Sequence, residues 1–147
     1  MLTLNPYLNF MGTTEAAFNF YKSVFGGKFT TFQRFKDVPG GEKMSAEDQE
    51  KIMHVSLPIG NGALLMGTDA LESMGQSLTP GNNFYLSVSP ESESHADELF
   101  NKLSEGGQVT MPLDKAFWGA YFGMVVDQFG IQWMINYDLT PQQNKNS

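Results

Sequence analysis

His54 and His95 are the only side chains of this 147-residue chain that ordinarily titrate near neutrality, and their neighbours differ. In Ile52 to Ile59, Met53, Val55, Leu57 and Ile59 alternate with the rest, so a strand there puts His54 and Ser56 on the opposite face. His54 would act there as a proton carrier or as a polar anchor for a ligand; a histidine hydrogen-bonded for structure also fills such a position. It is the one candidate for a catalytic residue. His95 lies among Glu91, Glu93, Asp97 and Glu98 and reads as part of a solvated helix face. The chain has no cysteine, which removes disulfides, thiolate zinc sites and thiol nucleophiles together. Asp127 opens Asp127-Gln128-Phe129-Gly130, the form of a type I turn, where a structural role outweighs a catalytic one. Asp69 at a strand end and Glu15 at a helix start need no chemistry to explain them.

Binding surfaces leave a different trace. In the closing segment Ile131, Trp133, Ile135 and Tyr137 fall on one side of a strand and Gln132, Met134 and Asn136 on the other. If the large apolar side meets helices, the second set looks into a cleft. Trp118 offers a rigid, amphipathic wall for a planar ligand, or alternatively a core or dimer-interface anchor. Nine methionines, Met53, Met66, Met124 and Met134 among them, would give an adaptable lining where several meet, although core filling explains most such residues. Gly40-Gly41 and Gly60-Asn61-Gly62 do not form a phosphate loop, because no Gly-x-Gly-x-x-Gly or Gly-Lys-Ser/Thr follows a strand.

The elements that must position these residues recur. Pro6 to Phe10 reads as a strand, and then Thr13 or Thr14 caps a helix whose face is Ala17, Phe18, Phe20, Tyr21, Val24 and Phe25, stopped by Gly26-Gly27. Strands follow at Lys28 to Lys36, Ile52 to Ile59 and Ala63 to Thr68, the last two joined by a hairpin turn at Gly60-Asn61-Gly62. Asp37 to Glu50 reads as a loop with a short helical turn at Ala46 to Glu50. The second half runs strand Asn83 to Val88, helix Ser92 to Leu103, then strands Gln108 to Leu113, Tyr121 to Val126 and Ile131 to Tyr137. A shift of 80 residues lays Ala16 on Ala96, Phe20 on Phe100 and Gly26-Gly27 on Gly106-Gly107. The expected fold is therefore α+β: tandem βαβββ modules over about 5–70 and 82–138 within one domain, followed by a polar tail, 139–147.

At 41% hydrophobic residues the chain can bury a core, and its formal charge of −7, with Arg34 the single arginine, opposes binding to nucleic acid phosphates. No apolar run reaches the roughly 18 residues of a membrane span, and the start has no export signal, so a cytoplasmic location and no membrane partner are expected.

Two segments carry a family likeness. They are Pro6-Tyr7-Leu8-Asn9-Phe10-Met11-Gly12 with Glu15-Ala16 and Phe20-Tyr21, and Phe117-Trp118-Gly119 through Asp127-Gln128-Phe129-Gly130 to Trp133-Met134-Ile135-Asn136. Together they resemble the PhnB-like branch of the vicinal-oxygen-chelate (glyoxalase/bleomycin resistance/dihydroxybiphenyl dioxygenase) superfamily. The resemblance implies curled sheets forming a cleft, commonly in a homodimer, and in metal-dependent relatives a divalent ion held by four His, Glu or Gln side chains. Here the corresponding positions fall near Pro6, Tyr7 or Asn9, near Leu65 or Met66, near Asn83 to Tyr85, and at Met134. A thioether and amides make a poor divalent shell, so no metal and no cofactor are expected. The reading that results is a small, partly apolar ligand bound by Tyr7, Asn9, His54, Met66, Trp118, Gln132, Met134 and Asn136. Its competitors are a metal-dependent or His-assisted enzyme of lyase, isomerase or dioxygenase type, a partner-binding regulator using the 37–50 loop, and a ubiquinone-type methyltransferase.

Overall fold

A computed structural model describes residues 1–60 and 62–139; Asn61 of the expected hairpin turn and 140–147 of the expected tail lie outside them. The chain divides into two compact units, Met1–Thr79 and Pro80 onward. In the first, β1 (Tyr7–Phe10), α1 (Thr14–Phe25), β2 (Thr31–Arg34), β3 (Ile52–Ile59) and β4 (Ala63–Asp69) follow in order, with the one-turn helix α2 (Ala46–Gln49) between β2 and β3. The sheet order is β1-β4-β3-β2, with β1 parallel to β4 and the other pairs antiparallel. The second unit holds β5 (Leu86–Val88), α3 (Glu93–Ser104), β6 (Gln108–Ala116), β7 (Ala120–Val126) and β8 (Gln132–Asp138), in the sheet order β5-β8-β7-β6. Each unit is thus a βαβββ module, and the α+β reading holds. Among the described residues no helix is long and apolar enough to cross a membrane.

Each helix covers one face of its own sheet. Ala17, Phe18, Tyr21 and Val24 of α1 are buried at helical spacing, as are Ala96, Leu99, Phe100 and Leu103 of α3. The sheet makes room for them with a glycine: a Cβ on Gly67 would stand 2.5 Å from the Phe18 ring, and one on Gly123 would stand 2.8 Å from the Phe100 ring. The two helices have 12 residues each and lie 79 positions apart, which puts buried Ala17, Tyr21 and Val24 onto buried Ala96, Phe100 and Leu103. The shift of 80 read from matching letters is one residue out within the helices, since Ala16 is exposed whereas Ala96 is buried. It fits the double glycines, because α3 is followed by one further residue, Glu105, before Gly106.

Neither threonine caps α1 with its side chain. Asp69, at the end of β4, takes that role: Oδ1 accepts from the Gly12 and Thr14 N–H groups at 3.0 and 3.1 Å and from Thr14 Oγ1 at 2.6 Å, while Oδ2 accepts from Ile52 N–H at 2.8 Å. Its carboxylate therefore ties β1, α1 and β3 to β4, in keeping with a structural reading. The second helix has a local cap, with Ser92 Oγ accepting from His95 N–H at 3.0 Å.

β2 and β5 are shorter than their apolar runs, and β6 is longer, with irregular register on either side of Met111. Pro112 is accommodated because β6 lies at a sheet edge, where a missing N–H breaks no ladder. The 37–50 stretch is more organised than a loop. Two 3-10 turns, Phe35–Asp37 and Gly41–Lys43, precede α2, and buried Asp48 accepts from Ser73 Oγ at 2.6 Å and from Lys51 Nζ at 3.1 Å. Those contacts hold the Asp48 carboxyl below the usual carboxylate range.

Candidate functional site

The face of each sheet opposite its helix is where the expected site residues gather. In the first unit, Leu8 and Phe10 of β1 and Leu65 and Gly67 of β4 are buried on the helix side, which turns Tyr7, Asn9, Met66 and Thr68 to the other side. Register places Tyr7 beside Met66, Met66 beside Ser56, and Gln33 beside His54. Along β3 Val55 and Leu57 are fully buried as expected, but Ser56 between them is buried too, and at the start of the strand Ile52 rather than Met53 is fully buried. The pairing with β2 is irregular at that point, between Gln33 and Arg34.

Across this face Tyr7 and His54 meet. The Tyr7 hydroxyl and His54 Nδ1 are 3.0 Å apart, and their rings stack with centroids 5.6 Å apart and planes 29° apart. β1 and β3 are not neighbours in the sheet, so the pair reaches across β4. Loss of hydration raises the Tyr7 pKa above that of a free phenol, which keeps the hydroxyl protonated and able to donate to the imidazole. Nothing in the sequence alone joins residues 7 and 54; strand order does.

One contact beside this sheet was missed by sequence reasoning. Arg34 grips Glu15 with two hydrogen bonds of 2.9 and 2.7 Å, and its NH1 also donates to the Glu50 carbonyl at 2.6 Å. The guanidinium lowers the Glu15 pKa through that hydrogen bonding. A lone arginine in an acidic chain is the signal that could have found it.

The corresponding face of the second unit has a different character. Ile135 and Val125 are fully buried on the helix side, and Trp133 is buried with its indole N–H donating to Asp127 Oδ2 at 2.8 Å. Asp127 Oδ1 also accepts from the Phe129 and Ile131 N–H groups, at 2.8 and 3.1 Å, so its role is to shape the turn. Gln132, Met134 and Asn136 then share the other face with Val126, Met124 and Phe122, their register partners on β7. Gln132 is held by donating Nε2–H to the Phe84 carbonyl at 2.5 Å. Trp118, in the β6–β7 turn, packs edge-on against both Phe117 and Phe122, at 5.2 and 5.5 Å between centroids. Among the described residues it stays 55% exposed and Phe117 98% exposed, which does not fit the core reading of Trp118. The eight expected binding residues therefore divide by module: Tyr7, Asn9, His54 and Met66 on one helix-free face, Trp118, Gln132, Met134 and Asn136 with the other.

The superfamily's divalent ion finds no matching donors here. Of the four corresponding positions, Tyr7 already engages His54 and Phe84 offers a carbonyl that Gln132 occupies, while Met66 and Met134 carry thioethers. Among the described residues, no three His, Asp or Glu side chains gather in a way that would hold an ion.

The family model for 3-demethylubiquinone-9 3-methyltransferase matches residues 3–136, nearly all of the chain. The chain belongs to this PhnB-like family. It resembles the crystal structure of protein PA1353 from Pseudomonas aeruginosa, with 36% identity, a TM-score of 0.82, and 94% of this chain and 98% of that one covered. A putative 3-demethylubiquinone-9 3-methyltransferase, PhnB protein, from Bacillus cereus is 25% identical, with a TM-score of 0.73 and coverage of 92% and 99%. Protein YjdN of Escherichia coli K12 is 29% identical over 143 residues, spanning 92% of this chain and 95% of its own. Structures of glyoxalase-related and glyoxalase/bleomycin resistance/dioxygenase proteins, at 22% and 21% identity with TM-scores of 0.60, share the fold. The family and its glyoxalase-type architecture agree with the resemblance read from the sequence, and no reaction follows from either.

Proposed function

We propose that this PhnB-like protein binds a small, partly apolar molecule through the helix-free faces of its sheets, without a metal ion. The observation that carries this reading is the aromatic group Phe117, Trp118 and Phe122, with Trp118 and Phe117 left in solvent rather than used as core. Exposed aromatic surface of this kind, beside polar side chains and thioethers, suits a ligand with a planar apolar part. The proposal includes a homodimer in the cytoplasm, whose mass is checked by light scattering.

A ligand that binds only the folded state must raise the melting temperature, by the equivalent of about 2.7 kcal/mol at a hundredfold excess over its Kd. Screening a panel of aromatic and aliphatic metabolites by thermal shift is the test, repeated with Trp118→Ala. A hit that weakens about tenfold or more in the variant supports the proposal. A panel with no stabilising compound would sink it.

One observation favours a second reading, an enzyme that uses His54. The Tyr7 hydroxyl lies 3.0 Å from Nδ1 and the two rings stack, which holds the imidazole in one orientation on the helix-free face. Catalysis would then be lost in His54→Ala and weakened in Tyr7→Phe. The methyltransferase in the family's name finds less support. A methyl-donor nucleotide needs a glycine-rich turn at a helix N-terminus, and the start of α1 already spends its Gly12 and Thr14 N–H groups on Asp69.

A further inference from the structure

Asn136 Oδ1 is buried and lacks a hydrogen-bond partner among the described residues. A buried carbonyl oxygen left in this state is costly, and folded proteins almost always satisfy such groups internally, with ordered water or with a bound ligand. Asn136 sits on β8 opposite Phe122 of β7, and Phe122 is the ring against which Trp118 packs. One strand position further in, Met134 faces Met124. The unpaired oxygen thus borders an aromatic wall and a pair of thioethers, all on the face opposite α3.

From this juxtaposition we infer that the ligand is an aromatic molecule bearing a hydrogen-bond donor on its ring, such as a phenol, an enol or an arylamine, and that Asn136 Oδ1 receives that donor. The inference rests on the small-molecule reading above and narrows it to a chemical class. Shape alone would let an aryl ether or a plain hydrocarbon bind as well. The orphaned acceptor penalises both, because closing an apolar group over it removes its access to water without replacing the bond. Gln132, on the same face, is anchored by its Nε2–H to the Phe84 carbonyl, and its Oε1 is not a buried acceptor left without a partner as Asn136 Oδ1 is. Asn136 is a binding residue here and is assigned no part in bond making or breaking.

Two probes of nearly equal shape separate the possibilities: 2-naphthol, which has the donor, and 2-methoxynaphthalene, which lacks it. Calorimetric titration of each into the full-length wild-type protein is expected to give tighter binding of the naphthol by about fivefold or more, the size of one net hydrogen bond. In Asn136→Leu that preference disappears while the ether binds at least as well as before. The variant also melts higher than the wild type, since a buried unpaired oxygen has been replaced by carbon; this checks that it folds. Equal affinities in the wild type overturn the inference and leave small-molecule binding intact, with water as the partner of Asn136. Tighter binding of the ether overturns it too, by showing that the amide presents a donor. If neither probe binds, both the inference and the reading beneath it fall.

Discussion

The two modules share a strand order and helices of equal length, yet they are held together by different means. In the first, a single carboxylate from the last strand reaches back to the helix start and to the middle strand, joining residues 12, 14 and 52 to residue 69. In the second, the helix is capped by its own preceding residue, Ser92, and the buried Asp127 serves a turn and the indole of Trp133, all within seven residues of chain. The free faces differ in the same sense. Module one has closed its polar pair, Tyr7 with His54, while in module two Asn136 Oδ1 has no partner among the described residues. A repeated architecture therefore fixes where side chains point without fixing which polar groups are satisfied. The unsatisfied module is the better place to look for a ligand.

If long-range capping distinguishes the modules, removing it should show the largest effect. Asp69→Ala leaves the Gly12, Thr14 and Ile52 N–H groups without their acceptor, and a destabilisation of about 3–5 kcal/mol in urea unfolding is expected. Ser92→Ala removes one local cap and should cost about 1 kcal/mol. Equal losses would erase the contrast drawn between the two helix starts.

The sheet glycines sharpen the comparison at a smaller scale. An added methyl at Gly67 meets the Phe18 ring at 2.5 Å and the Leu8 carbonyl oxygen at 3.2 Å, and a ring can turn. At Gly123 it meets the Phe100 ring at 2.8 Å and also the Leu113 backbone at 2.9 Å, which cannot move without shifting β6. Overpacking of this kind costs about 1–3 kcal/mol, and Gly123→Ala should lie above Gly67→Ala within that range. Thermal melts of the two variants, read side by side, would show the reverse order if the Phe18 ring is the more tightly held.

Much of this was legible in the chain itself. Period-two and helical patterns, with double glycines as stops, yield both modules, and along the split read in Ile131 to Tyr137, Trp133 and Ile135 are buried and Met134 and Asn136 less so, although Gln132 is buried as well. What pattern could not show is whatever strand order brings together: Tyr7 with His54, Asp69 with the start of α1, Arg34 with Glu15. Local signals were even misleading there, because Thr13 and Thr14 look like self-sufficient caps until a carboxylate arrives from 55 residues away. The letter repeat erred for a related reason: Ala16 and Ala96 match by type, whereas burial aligns Ala17 with Ala96.

The smallest expected effect concerns Tyr121 of the second module. Tyr121 donates its hydroxyl to Asp97 Oδ1 at 2.5 Å, and that hydrogen bond, ahead of the loss of hydration, pushes its pKa up to about 12 from 10.0. The folded state thus holds this proton more tightly than the unfolded chain does. The contribution is fully present below pH 10, where both states are protonated, and is lost as pH rises through the window from 10 to about 12. Because the pair lies at the surface, water screens it and the decline should be shallow. Urea midpoints of Tyr121→Phe should be slightly lower than wild type at neutral pH and should converge with it toward pH 12. Parallel pH curves for the two proteins would mean that the bond to Asp97 does not tie α3 to β7.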